Sequence, residues 1–112
     1  MSINIAIVGH GYVGKAVDYG FSTSEVEKFI IDPLYGTTID DLKHKTRLDA
    51  AFVCVPTPMS VDGRQDLSFI DKVFEESIEG PIYIIKSTVL PGTTNELQKK
   101  YPHLNIIFSP EF

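Results

Sequence analysis

The chain has one cysteine, Cys54, in 112 residues. An internal disulfide is thereby excluded, and a reducing compartment is suited to such a sequence. No apolar run approaches the ~20 residues that a helix needs to cross a bilayer, so no membrane span is expected. There is no run of Lys or Arg and the net charge is −5, which argues against nucleic acid as a partner. The segment Met1-Ser2-Ile3-Asn4-Ile5 enters an apolar run without a basic region or a cleavage site. It does not read as a secretory signal, and a cytoplasmic location is expected. Repeats, low-complexity tracts and linkers are also lacking, which leaves a single domain over residues 1–112. No metal centre is expected.

What the sequence does contain is alternation. Five short runs rich in Ile, Val and Phe cover 3–8, 29–31, 50–55, 82–85 and 106–108. Such runs read as strands buried on both faces, as in a parallel sheet. Between them lie helix candidates. Val13, Ala16, Val17 and Phe21 have helical spacing, and a short turn of helix is expected over 39–45. Phe69, Ile70, Val73, Phe74 and Ile78 form a stronger stripe, with Asp66 or Ser68 as N-cap. Thr93 and Glu96 have capping-box spacing ahead of an inward Leu97. The order βαβαβαβαβ, with right-handed crossovers, gives an open doubly wound sheet. The long loop from Pro56 to Gln65 is of a length that often carries function.

Gly9-His10-Gly11-Tyr12-Val13-Gly14 matches G-x-G-x-x-G, following a strand and opening a helix as that motif requires. Gly9 allows the turn, Gly11 lets the backbone approach a pyrophosphate, and Gly14 lets helix and strand pack closely. The helix N-terminus offers N–H groups and a positive dipole end to phosphates. The other reading is a tight turn without a ligand. Asp32 ends the second run, where a carboxylate can accept both hydroxyls of the adenosine ribose and repel a 2′-phosphate, favouring NAD over NADP; alternatively it is a turn aspartate before Pro33. His10 faces the pyrophosphate or is a tolerated loop residue without a catalytic role. Tyr12 stacks on the cofactor or covers the first helical turn. The fold class expected is a Rossmann-type α/β domain with five strands in the order 3-2-1-4-5. An S-adenosylmethionine site also uses a Gly-rich turn and is a competing reading. Cys54, within the third run, reads as a small buried core residue.

Five motifs then occur in order: the glycine turn, Val53-Cys54-Val55-Pro56-Thr57-Pro58, Asp62-Gly63-Arg64-Gln65-Asp66-Leu67-Ser68, Lys86-Ser87-Thr88-Val89-Leu90-Pro91-Gly92-Thr93-Thr94, and Ser109-Pro110-Glu111-Phe112. Together they resemble the N-terminal domain of the UDP-glucose/GDP-mannose dehydrogenase family. That resemblance implies oxidation of the C6 alcohol of a nucleotide sugar to a carboxylate with NAD, through a cysteine thioester. It implies catalytic roles for Thr88, in positioning water and substrate, and Glu111, in acid/base steps. It also implies that Gly9, Gly11, Tyr12, Val13, Gly14, Asp32, Pro56, Thr57, Ser87 and Thr88 line the cofactor. Thr88 is otherwise a strand-end hydroxyl bonded to backbone, and Pro56 and Pro58 otherwise simply end the strand. The family pattern also has a longer segment where this chain has Pro33 to Asp49. Its sixth strand, central helix, nucleophilic cysteine and sugar-binding domain are not within these 112 residues. The chain alone is therefore expected to be inactive and to be completed by more chain or by a partner, or else to serve as a stand-alone NAD-binding module; a homodimer is expected through the open edge left by the missing sixth strand.

Overall fold

The computed structural model describes residues 3–21, 25–32, 47–58, 62, 65–75, 78–87, 89 and 92–109, with Tyr12 described by its backbone alone. The elements are β1 (Ile3–Val8), α1 (Tyr12–Gly20), β2 (Val26–Ile31), β3 (Ala50–Val53), α2 (Ser68–Glu75), β4 (Ile82–Ile85), α3 (Thr93–Lys100) and β5 (Asn105–Phe108). All strands are parallel, in the order β2-β1-β3-β4-β5. The doubly wound architecture expected from the alternation of runs is what forms.

The placing of the third strand needs one correction. In the order 3-2-1-4-5 it would lie outside β2. In the structure it pairs with β1, Ile5 opposite Ala50 and Val8 opposite Val53. Set against the six-strand order 3-2-1-4-5-6, the observed strands match positions 2-1-4-5-6. Among the described residues the vacant position is thus the one outside β2, and the last position is filled by β5. The halves of the sheet are the same, and only the strand numbers after the crossover move down by one. The helix expected over 39–45 lies outside the described residues.

The two faces are covered by different helices. Ala6, Val8, Ala51, Val53, Tyr83, Ile85 and Ile106 form the larger core with Ile70, Val73 and Phe74 of α2 and Leu97 of α3. Ile5, Ile7 and Val17 of α1 form the smaller core, with Phe21 and Phe52 against it. Phe69 of the expected α2 stripe is instead exposed, and Ile78 lies beyond the helix. Tyr83 is wholly buried, and its hydroxyl donates to the Ile78 carbonyl at 2.6 Å while accepting the Ile78 N–H at 3.0 Å. A core tyrosine is tolerated because that polar tip is satisfied. The Phe74 ring meets it edge-on at 5.5 Å.

Helix starts follow two mechanisms. Asp66 accepts the Ser68 N–H at 2.9 Å and so satisfies the first free N–H of α2, from one residue ahead of the N-cap position expected for it. The Ser68 hydroxyl first, and then this N–H, hold its carboxyl below the usual range. For α3 the capping box does not form. Gly92, at φ 87°, is the N-cap, and Thr93 is the first helical residue and buried. The positive φ lets glycine alone make the turn.

One brace has no local sequence signature. Gln98 donates from Nε2 to the carbonyls of Leu104 (2.6 Å) and Tyr101 (3.2 Å), and its Oε1 accepts the Ile106 N–H at 3.1 Å. It fastens α3 to β5. Gln98→Leu strands these backbone groups, so we expect a loss of about 2 kcal/mol in urea unfolding.

Candidate functional site

The carboxyl ends of the strands are joined by bonds that continue past the sheet. Gly9 N–H donates to the Ile31 carbonyl at 2.7 Å, and Cys54 N–H donates to the Val8 carbonyl at 2.8 Å. Lys86 N–H donates to the Val53 carbonyl at 2.8 Å, and Ser109 N–H to the Ile85 carbonyl at 3.0 Å. The chain leaves β1 toward β2 on one side, while β3 lies on the other. A topological switch point therefore falls at the ends of β1 and β3, which is where open α/β sheets bind ligands.

Gly9, Gly11 and Gly14 occupy three different environments there. Gly9 has φ 92°, and a Cβ on it would sit 2.9 Å from the Cys54 carbonyl oxygen. A Cβ on Gly14 would overlap the Gly9 carbonyl oxygen. Gly11, by contrast, has φ −81° and open space around the position of a Cβ. Gly9 and Gly14 are thus required by the fold. The open space at Gly11 fits a ligand that approaches the backbone. Gly11 is also the N-cap of α1 and makes no side-chain cap bond, so no side chain of its own competes for the first N–H groups.

Asp32 follows β2 directly and is 8% exposed. Its Oδ2 accepts the His10 backbone N–H at 2.6 Å. The carboxylate is therefore fixed against the glycine turn, beside Gly9 and Gly11. The His10 ring turns away from the turn. Its Nε2 meets Asp18 Oδ2 of α1 at 2.9 Å, and Asp18 Oδ1 pairs with Lys28 Nζ of β2 at 2.6 Å. Lys28 first, and then His10, hold the Asp18 carboxyl below the usual carboxylate range. Sequence spacing did not reveal this chain of contacts, because its members lie on a loop, a helix and a strand.

The remaining expected residues sort by position. Val13 is half-buried in the first turn of α1, and Tyr12 opens that helix; the readings of its ring lie outside the described residues. Pro56 is exposed and Thr57 half-buried, just beyond β3, and the Thr57 carbonyl accepts Gln65 Nε2 at 3.3 Å. Ser87 is buried, and its hydroxyl reaches the Val55 carbonyl at 2.7 Å and the Val53 carbonyl at 3.3 Å. It ties the end of β4 to the Val53–Val55 segment rather than presenting its proton outward. Cys54 lies one residue past β3, not inside it, and is half-buried, with its thiol 3.8 Å from the Phe52 carbonyl. Thr88 and Glu111 lie outside the described residues. Among the described residues no group of three His, Cys, Asp or Glu side chains gathers as a metal site, and no helix is long and apolar enough to cross a membrane.

Comparison with known proteins adds to this geometry. The chain is 32% identical to an uncharacterised protein of Methanocaldococcus jannaschii, with 98% of this chain aligned to 16% of that protein. It is 27% identical to a UDP-glucose 6-dehydrogenase of Rickettsia conorii, over 98% of this chain and 34% of the relative. In both cases it spans about a third or less of the relative's length. These alignments run over 151 and 150 positions although the chain has 112 residues, so the relatives carry some dozens of positions without a counterpart here. The fold is shared with a GDP-mannose dehydrogenase of Pseudomonas aeruginosa solved as a ternary complex. The TM-score is 0.64 and the identity 21%, with 96% of this chain and 36% of that one covered. Residues 34–112 match the model of the UDP-glucose/GDP-mannose dehydrogenase family, NAD binding domain. That match spans more than half of the chain, and the chain therefore belongs to the UDP-glucose/GDP-mannose dehydrogenase family as an NAD-binding domain.

Proposed function

We propose that the chain is the NAD-binding portion of a nucleotide-sugar 6-dehydrogenase that oxidises a C6 alcohol to a carboxylate, with UDP-glucose or a similar sugar nucleotide as substrate. The observation that carries the reading is the open space at Gly11, beside a buried Asp32 and an N-terminus of α1 without a side-chain cap. NAD supplies the hydride acceptor. The chain's own residues bind and orient it. Gly11 admits the pyrophosphate to the first N–H groups of α1. Asp32 accepts the adenosine ribose hydroxyls and disfavours a 2′-phosphate. Pro56 and Thr57 border the cofactor, and Ser87 holds the backbone of that border in place. Thr88 would position water and substrate, and Glu111 would serve acid/base steps.

Two features bear on completeness. Among the described residues the sheet position outside β2 is vacant, and it adjoins the segment between β2 and β3. We place there the positions that the relatives have and this chain lacks. Asp32 and the glycine turn are on the retained side, so the pyrophosphate and ribose contacts survive while the adenine side is reduced. The one cysteine, Cys54, sits just past the carboxyl end of β3 with its thiol against the backbone. The thioester step and the sugar contacts then belong to other polypeptide, either further chain or a partner.

Calorimetric titration with NAD, NADP and S-adenosylmethionine tests this. Saturable NAD binding, weaker NADP binding and no S-adenosylmethionine binding are expected. Asp32→Asn keeps an acceptor for the His10 N–H but loses the charge, so NAD affinity should fall about tenfold and the preference over NADP should shrink. A folded chain without NAD binding overturns the proposal.

A further inference from the structure

The contacts around His10 form a closed circuit. It starts at Lys28 on β2 and passes to Asp18 on α1 at 2.6 Å. It continues to the His10 ring at 2.9 Å, and through the His10 backbone N–H to Asp32 at 2.6 Å. Asp32 directly follows the strand that carries Lys28. A carboxylate only accepts, so the ring nitrogen facing Asp18 is the donor. Lys28 Nζ also donates to the Asp18 main-chain carbonyl at 3.2 Å, which fixes the anchor to α1 as well as to β2. The side chains of His10, Asp18 and Lys28 are 15%, 29% and 26% exposed. At that partial burial the contacts are shielded more than surface pairs, whose worth is small.

We infer that His10 is a positioning residue for the cofactor's adenosine ribose, its ring anchored by Asp18 and Lys28 so that its backbone N–H holds the Asp32 carboxylate in place. The backbone N–H exists whatever the side chain. What the ring contributes is the orientation of that N–H. Residue 10 follows Gly9, which is held by the Ile31 and Cys54 backbone, but it precedes Gly11, which meets open space and gives residue 10 little restraint on that side. The ring's bond to Asp18 supplies the restraint from outside the turn. Asp32 is thereby held ready before the ribose arrives, and the ordering cost is not charged to binding.

This inference rests on the NAD site described above, and titration of the parent chain tests that site separately. His10→Ala should weaken NAD binding about tenfold, the scale of one hydrogen bond to a charged group. It should also narrow the NAD-over-NADP ratio, because a loosened carboxylate discriminates less. His10→Gln places an amide nitrogen near the ring nitrogen and should restore both. A role confined to stability would lower the unfolding midpoint and leave the NAD-over-NADP ratio of the folded protein unchanged, which would overturn the inference. If His10→Ala does not fold, Asp18→Ala removes the same anchor from the exposed side and is read in the same way. A parent chain that binds no NAD overturns both this inference and the cofactor site.

Discussion

Gly14→Ala is expected to unfold most of the protein. The added methyl would overlap the Gly9 carbonyl oxygen and reach Ile7 Cγ2 at 3.6 Å. The carbonyl has nowhere to go. Gly9 N–H is tied to Ile31 at 2.7 Å, and the other side of Gly9 lies against the Cys54 carbonyl. The helix must therefore lift from the sheet, opening the core of Ile5, Ile7 and Val17 with Phe21 and Phe52. Overpacking against backbone costs at least about 3 kcal/mol, and a chain of this size has little stability to spare. Urea unfolding followed by far-ultraviolet circular dichroism measures this as a large fall in midpoint. Gly20→Ala is the control on the same helix, since a Cβ there meets open space. Its midpoint should hold or rise.

Gly11→Val separates binding from folding in the opposite sense. The residue has φ −81°, which any side chain adopts, and its Cβ would meet open space. Stability should change by less than about 1 kcal/mol, the scale of exchanging a glycine N-cap for a poor one. The added side chain projects into the space where the pyrophosphate meets the first turn of α1. NAD affinity should then fall about a hundredfold, since each tenfold is worth roughly 1.4 kcal/mol. Calorimetry at fixed salt, with the unfolding midpoint measured on the same sample, reads both quantities. An unchanged affinity would place the phosphates elsewhere.

Much of this arrangement was legible in the sequence because it is local. The strand-to-helix context of the glycine turn, the acid after the second run and the Ile70, Val73 and Phe74 stripe each arise within a few residues. Strand ends were less legible. β2 begins at Val26, ahead of the run that marks it, because the outermost of the described strands tolerates Glu27 and Lys28 where a central strand does not. The place of the third strand depends on which segments have been shortened, and no period within the chain reports that. The capping box at Thr93 had the right spacing, but Gly92 makes the turn and Thr93 goes into the core. Gln98 serves backbone groups on the turn and strand that follow its helix, and a glutamine at a helical position carries no mark of that duty. His10 was legible as a member of the turn but not as the link between Asp18 and Asp32. Those partners are eight and twenty-two residues away and meet only once α1 and β2 are packed.

The interior position of β1, between β2 and β3, bears on how the protein is made. Its neighbours on either side, β2 and β3, both follow it in the chain, and the second of them begins only at Ala50. Until both have docked, the apolar run Ile5–Val8 has exposed edges and faces. Among the described strands none pairs with its immediate successor through a tight hairpin, so each pairing first requires a loop to close. Folding should accordingly be slow for a chain of this length, with aggregation competing while β1 awaits its second neighbour. Yield on refolding should fall steeply with protein concentration, and substitutions that weaken the β1–β3 pairing should worsen it more than equally destabilising changes in α3.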